Sequence, residues 1–399
     1  MELRICLILT AVLSLAAGQC VGQTPAHPAC QRETALALES QGDNAGAEAT
    51  WKPCLESDPS NPETYAHMAL LEARQGNYKE AVPLYQMALK LGPGVPSVKL
   101  NLGLALFKSG ELKQSIQLFM DLLNSQPSDS PQAMRLTTLI GMAHYGLGEY
   151  PEAVPYLKDA AAADAQNLEL KMVLGHSCLW AKQYQCVLDV YHEILVLDPN
   201  SAEAHMLAGE ALDARKDRAS AIEEFRAAIA ANPKEPGVHL NLGYLLWAQS
   251  QFREAKAEFQ AELDNSPNDA RTMTYLGDAE LHLNHSEAAQ QLMEKAGKIE
   301  PGIPLIHLDL GIVYSDSGRR DDAVRELKLA ETLDPNNQNV HWRLGHIYQI
   351  AGDNDDAKAE FDKLHNLKNA IEDALGRTLL DAEAKDKPAD EAPASPNAN

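Results

Sequence analysis

Small, apolar and polar positions along this chain recur with a period of 34 residues. Gly141, Gly175, Gly209, Gly243, Gly277, Gly311 and Gly345 stand in register, six steps of 34. Pro199, Pro233, Pro267, Pro301 and Pro335 form a second ladder in phase with it. Pro59, Pro93 and Pro127 continue that ladder ahead of a four-residue insertion near Ser130 to Ala133. Such a period marks a stack of small supersecondary units. Ten units begin near Pro28, Pro62, Pro96, Met134, Leu168, Ala202, Pro236, Ala270, Pro304 and Gln338, and positions are counted from these residues.

Position eight is Gly or Ala, position twenty is mostly Ala, and position twenty-seven is often Ala, with larger apolar residues between them. Small residues let two helices approach closely and large ones fill the interface. The pattern therefore predicts two antiparallel helices per unit, with the turn near positions fourteen and fifteen. Pro at position thirty-two cannot continue a helix and restricts the residue before it. Asp-Pro-Asn at Asp198 to Asn200 and Asp334 to Asn336 is such a stop signal. A single unit leaves an apolar face bare, so neighbours must stack into one core. The expected fold is all-α and elongated, and an aromatic content of only 6% agrees with helix rather than strand.

The last unit reads His341, Leu344, Gly345, Tyr348, Ala357, Phe361; an earlier one reads His239, Leu242, Gly243, Leu246, Ala255, Phe259, Pro267. This order of residues resembles the tetratricopeptide (TPR) repeat over about residues 28–371. The resemblance implies a right-handed superhelical α-solenoid of about ten helix hairpins. It also implies a non-catalytic scaffold that holds a protein or peptide in a concave groove lined by the first helix of each repeat. The family's exposed groove positions are the second, fifth, ninth, twelfth and thirteenth. Carried onto this chain they give Leu100, Leu104 and Phe107; Met142 and Tyr145; Met172, His176 and Trp180; Met206; Tyr244 and Trp247. Aromatic anchors and adaptable Met side chains suit such a groove. A carboxylate clamp does not fit, because the corresponding positions hold Glu63, Ala66, Leu70, Leu100 and Leu104. Nor does an Asn ladder, since only Asn101 and Asn241 occupy position six, with Leu139, Val173 and Leu207 between. The other functions weighed are a structural subunit of a cell-envelope assembly and a groove-bound small-ligand carrier or enzyme.

The ends carry separate signals. A cation at Arg4, the apolar run Ile5 to Ala17 and small residues up to Gly22 predict a signal peptide over residues 1–22, hence a periplasmic or secreted protein. Gln19 before Cys20 is a poor match to a lipidation site. No later run approaches the ~20 apolar residues of a membrane span. The first unit, around Ala35, Leu38, Ala47, Trp51 and Pro59, is a divergent amino-terminal cap. An amphipathic helix over 372–384, with Leu375, Leu379 and Leu380, is expected to cap the other end. A Pro- and acid-rich tail over 385–399 is expected to be disordered. A formal charge of −23 argues against nucleic acid as a partner.

No phosphate loop, nucleophile elbow, metal-protease helix or Cys-x-x-Cys set occurs in the sequence, so no enzyme activity, cofactor or metal is expected. His205, His239, His307 and His341 recur at position four. Packed helices place equivalent atoms about 10 Å apart, whereas zinc needs nitrogens at about 2.1 Å, so these are expected to be core residues in the family's aromatic slot. Asp321 with Asp322, and Asp355 with Asp356, read as surface acids favoured by the helix dipole.

Four cysteines follow the expected signal peptide. Cys30 and Cys54 hold positions three and twenty-seven of one unit; Cys178 and Cys186 hold eleven and nineteen of another. Facing positions of an antiparallel hairpin sum to about twenty-nine, so each pair spans a hairpin, and in an oxidising compartment each is expected to form a disulfide. Intact mass after alkylation of the denatured, unreduced protein should show none of the four modified, and all four modified after reduction. Alkylation of all four without reduction would rule the bridges out.

Overall fold

The computed structural model describes the backbone of residues 30–92 and 96–385, and the side chains of those residues except Pro96 and 375–385. The expected signal peptide with Cys20, ladder residue Pro93, the tail beyond Lys385, and the side chains of Leu375, Leu379 and Leu380 lie outside the described residues. The described residues form twenty α-helices, paired into ten antiparallel hairpins, and no strand.

Two compact units divide the chain, one up to Ala165 and one from Gln166. The first holds α1 (Arg32–Gln41), α2 (Asn44–Ser57), α3 (Pro62–Arg74), α4 (Tyr78–Leu91), α5 (Pro96–Ser109), α6 (Leu112–Leu123), α7 (Pro131–Gly146) and α8 (Tyr150–Ala163). The second begins with α9 (Leu168–Trp180), α10 (Tyr184–Leu197), α11 (Ala202–Ala214), α12 (Arg218–Ala231), α13 (Val238–Ala248) and α14 (Phe252–Asn265). It continues with α15 (Ala270–His282), α16 (Ser286–Ile299), α17 (Pro304–Asp316), α18 (Arg320–Leu333), α19 (Gln338–Ala351) and α20 (Asn354–Lys385). The expected capping segment is the end of α20, which runs through residues 371 and 372 without a break.

Three helix starts differ from the sequence reading. The first hairpin begins its helix at Arg32 rather than near Pro28. The fourth hairpin begins at Pro131 rather than Met134, because Ser130 caps α7 by accepting the Ala133 amide proton at 3.0 Å. The insertion is thus absorbed as extra helix. The seventh begins at Val238 rather than Pro236, after Gly237 in the left-handed region at φ 76°.

Close contact over position eight sets the hairpin geometry. A Cβ added to Gly103, Gly209, Gly243 or Gly345 would lie 2.5, 2.5, 2.6 or 2.6 Å from a ring carbon of Phe119, Phe225, Phe259 or Phe361. Each of these phenylalanines is at position twenty-four of the same hairpin. Leu157, Met293 and Leu327 fill that place over Gly141, Gly277 and Gly311. In the hairpins with Ala at position eight, Trp51 and Tyr85 occupy position twenty-four, fully buried. The fifth hairpin departs from the rule. Leu207 and Val190 lie nearest Gly175, and Tyr191 turns its hydroxyl to donate to Glu224 at 2.7 Å.

Each hairpin turns through a left-handed residue at position fifteen. Gly fills it six times, but Lys182, Lys216, Ser250 and Asn284 adopt φ of 58 to 69° there, at a backbone cost of about 1 kcal/mol each. At most links Pro stops the second helix, and at five further links a polar residue caps the next one, two positions after Pro at all but Asn167, which follows Ala165. Asn61, Asn167, Ser201, Asp269 and Asn337 each accept an amide proton of the new helix's first turn. The structure pairs Cys30 with Cys54 and Cys178 with Cys186, with Cα atoms 4.3 and 5.8 Å apart, each within one hairpin.

The seventh hairpin offers an internal contrast. Gly243→Ala drives a Cβ into the buried Phe259 ring, and overpacking of about 1–3 kcal/mol should exceed the gain of up to about 1 kcal/mol in helix propensity. Ser250→Gly should instead stabilise by roughly 0.5–1 kcal/mol by relieving the left-handed serine. Urea denaturation followed by circular dichroism reads both; a stabilising Gly243→Ala would contradict the packing described.

Candidate protein-binding site

In the first unit, the first helices of the hairpins carry a groove. One cavity of about 390 Å³ runs between α3 and α5 beside Ala66, Leu70 and Val98. A second of about 290 Å³ shares Leu70, Tyr85 and Asn101 with it and reaches Arg74, Leu104 and Lys108. A third of about 400 Å³ shares Leu104 and extends over Leu100, Arg135 and Leu139. Of the residues expected in this stretch, Leu100 and Leu104 line the groove, while Phe107, Met142 and Tyr145 are half-buried. Tyr145 packs edge-on against Tyr150 at 5.9 Å. Burial pushes the Tyr85 phenol up to about 12, so it stays neutral as part of the groove wall.

In the second unit, the expected aromatic residues gather at two places. His176 stacks on Trp180 at 5.4 Å, and its Nε2 lies 2.8 Å from Glu203. Trp180 is 47% exposed. Further along, Tyr244 stacks on Trp247 at 5.8 Å, and Tyr275 of the next hairpin meets both edge-on at 5.4 and 5.3 Å. The Trp247 indole donates to Asp278. Met172 is half-buried. Met206 is a correction to the sequence reading: it is buried, because it packs into the core with Phe225, Leu242 and Leu246 instead of facing the groove.

Tyr275, Asp278, Asp309 and the groove cations were not singled out by the sequence reading. Tyr275 and Asp309 sit at position six, outside the exposed positions carried over, and Asp278 at position nine is buried by its neighbours. Arg74, Lys108 and Arg135 do occupy thirteenth and second positions, so that signal was available.

Tetratricopeptide-repeat family models match residues 72–140 and residues 32–96, 187–236 and 240–301. Together these spans exceed half of the chain. The chain belongs to the tetratricopeptide-repeat family. No curated relative matches it. Among solved structures it is similar to PilF of Pseudomonas aeruginosa, at 20% identity and TM-score 0.46 over 55% of this chain and 98% of that one. A TPR protein from Parabacteroides merdae is similar at 16% identity and TM-score 0.47, over 63% and 98%. The C-terminal part of a TPR protein from Cytophaga hutchinsonii gives 16% and 0.48, over 61% and 99%. TPR arrays are protein-interaction scaffolds, and this chain is built as one.

The TPR aromatic slot at position four is where its histidines lie. His239, His307 and His341 each place Nδ1 2.7 to 2.8 Å from a Glu nineteen residues on, and Nε2 2.8 to 3.1 Å from a Pro carbonyl six residues back. Each ring therefore ties both helices of its hairpin to the incoming proline link. A neutral ring can donate to only one of these acceptors; the imidazolium donates to both. His205 keeps the Nδ1 contact to Glu224 at 2.7 Å, and the same nitrogen also lies 3.2 Å from the Tyr191 hydroxyl.

Glu331, His341 and Glu360 come close enough to suggest a cation site. Lys328 and Lys363 already bridge both carboxylates at 2.6 to 3.0 Å, and both His341 nitrogens are engaged. Burial works to raise the Glu360 carboxyl, but Lys328, His341 and Lys363 outweigh it and hold it near 2. The cluster is an internally neutralised ion-pair network rather than a metal cradle.

Asp309 is 2% exposed, and its Oδ2 has no hydrogen-bond partner. Burial and the neighbouring Asp278 push its carboxyl well above the usual range, against a weaker pull from Arg343. In the unfolded chain it titrates near about 3.9. Its contribution to relative stability is thus greatest below that pH and declines as pH rises toward the folded value. Asp309→Asn has no ionisation to suppress on folding, so it should raise stability at neutral pH by about 1–3 kcal/mol, with the gain shrinking as pH falls toward about 4 and absent below it. Thermal melts across that range would show this; a loss of stability at neutral pH would contradict it.

Proposed function

We propose that this protein is an exported, non-catalytic scaffold that holds a segment of another protein against the first helices of its TPR hairpins. The carrying observation is the Tyr244, Trp247 and Tyr275 cluster, in which Tyr244 remains 39% exposed. The Asp278 carboxylate fixes the Trp247 indole before any partner arrives. A pre-set aromatic surface loses little freedom on binding and is the kind of anchor that dominates interface energy. Export is supported by the signal-like N-terminus and by the two cysteine pairs.

A groove-bound small ligand is the second reading, favoured by the shifted Asp309 carboxyl close to this cluster. Asp278 and Asp309 are both buried, however, and Asp278 is occupied by the indole. The pair supports the wall of the surface rather than facing a substrate.

The test is affinity capture from an envelope extract with the wild type and a Trp180→Ala, Tyr244→Ala double variant, each checked for helix content. The wild type should enrich a specific protein, and the variant should retain roughly tenfold less. Equal capture, or no specific capture by either, would reject this reading.

A further inference from the structure

Resting on the reading that the first-helix faces bind protein segments, we propose that the groove of the first unit accepts an acidic segment with large apolar anchors. The three adjoining cavities give apolar sockets floored by Leu70, Leu100, Leu104 and Leu139. Arg74, Lys108 and Arg135 stand along them, in a chain whose net charge is −23. Among the described residues, no carboxylate lies within ion-pair distance of any of the three; Arg74 reaches only the Glu39 carbonyl, at 3.4 Å. Glu63, the carboxylate in the same lining, is neutralised by Arg32, which binds both of its oxygens.

Helix dipoles account for part of this arrangement. Arg74 and Lys108 lie in the last turns of α3 and α5, where a cation is favoured. Arg135 is the fifth residue of α7, near the positive end of that helix, where the dipole gives it no support. An external anion would satisfy all three, and with leucine-lined sockets between the charges the complementary ligand is acidic and amphipathic. The chain's own last residues, 386–399, contain no large apolar side chain to fill the sockets. The occupant is therefore a segment of a different protein.

Fluorescence anisotropy with the full chain tests this with three labelled peptides. In the first, Leu and Phe alternate with Asp and Glu; the second replaces the acids by Lys; the third keeps the acids and replaces the anchors by Ala. The first should bind at least about tenfold more tightly than either control and weaken with added salt. An Arg74→Gln, Lys108→Gln, Arg135→Gln variant with unchanged helix content should bind it about tenfold less. The Trp180→Ala, Tyr244→Ala variant should bind it as the wild type does, which separates this groove from the aromatic surface of the second unit. Equal binding of acidic and basic peptides, binding of none, or full retention by the triple variant would overturn the proposal. So would self-association, seen by sedimentation, that the triple variant abolishes, since the occupant would then be a second copy.

Discussion

The close approach of two helices over a residue with little or no side chain is the constraint on which the rest depends. Where a Cβ on Gly243 would come within 2.6 Å of the Phe259 ring, the hairpin has one workable spacing. Position eight supplies the space and position twenty-four fills it. Most rings and branched side chains held this way are fully buried, as Phe119, Phe225 and Phe259 are, while Phe361 in the last hairpin is half-buried. Because each hairpin has the same internal spacing, its neighbours within a unit meet equivalent surfaces, and stacking adds core without redesign.

Stacking also needs a controlled path from one hairpin to the next. Proline ends the second helix, and an Asn, Ser or Asp starts the following one by accepting a backbone amide. In the second unit histidine adds a side-chain tie across that link, from the proline carbonyl to a glutamate on the paired helix. These contacts use polar groups in the interior with their partners supplied. They leave the first-helix faces free to carry chemistry that stability does not dictate.

Those faces differ between the units. The first presents leucine-lined sockets with cations that have no acidic partner among the described residues, and the second presents an aromatic cluster whose Trp247 is held by the buried Asp278. Apolar sockets with charge select by both shape and sign, whereas a ring surface anchors by area. One repeated frame thus carries two chemically different surfaces, and the proposed binding rests on that difference.

The period of 34 determined the number of hairpins, the helix and turn positions within about four residues, and the small residues at position eight that let the two helices meet. It could do so because those contacts lie inside one hairpin, where sequence spacing fixes distance. It also placed His205, His239, His307 and His341 in the aromatic slot, although their glutamate and carbonyl partners were not foreseen. Only the tertiary structure decided which groove positions are open. Met206 and Tyr244 occupy exposed positions of the same repeat pattern, yet Met206 is buried and Tyr244 is not. The Asp278 and Asp309 pair, the bracing of Trp247 and the turn of Tyr191 toward Glu224 all arise between successive hairpins. Contacts there depend on the packing angle and on the bulk of each neighbour, and a repeat pattern records neither.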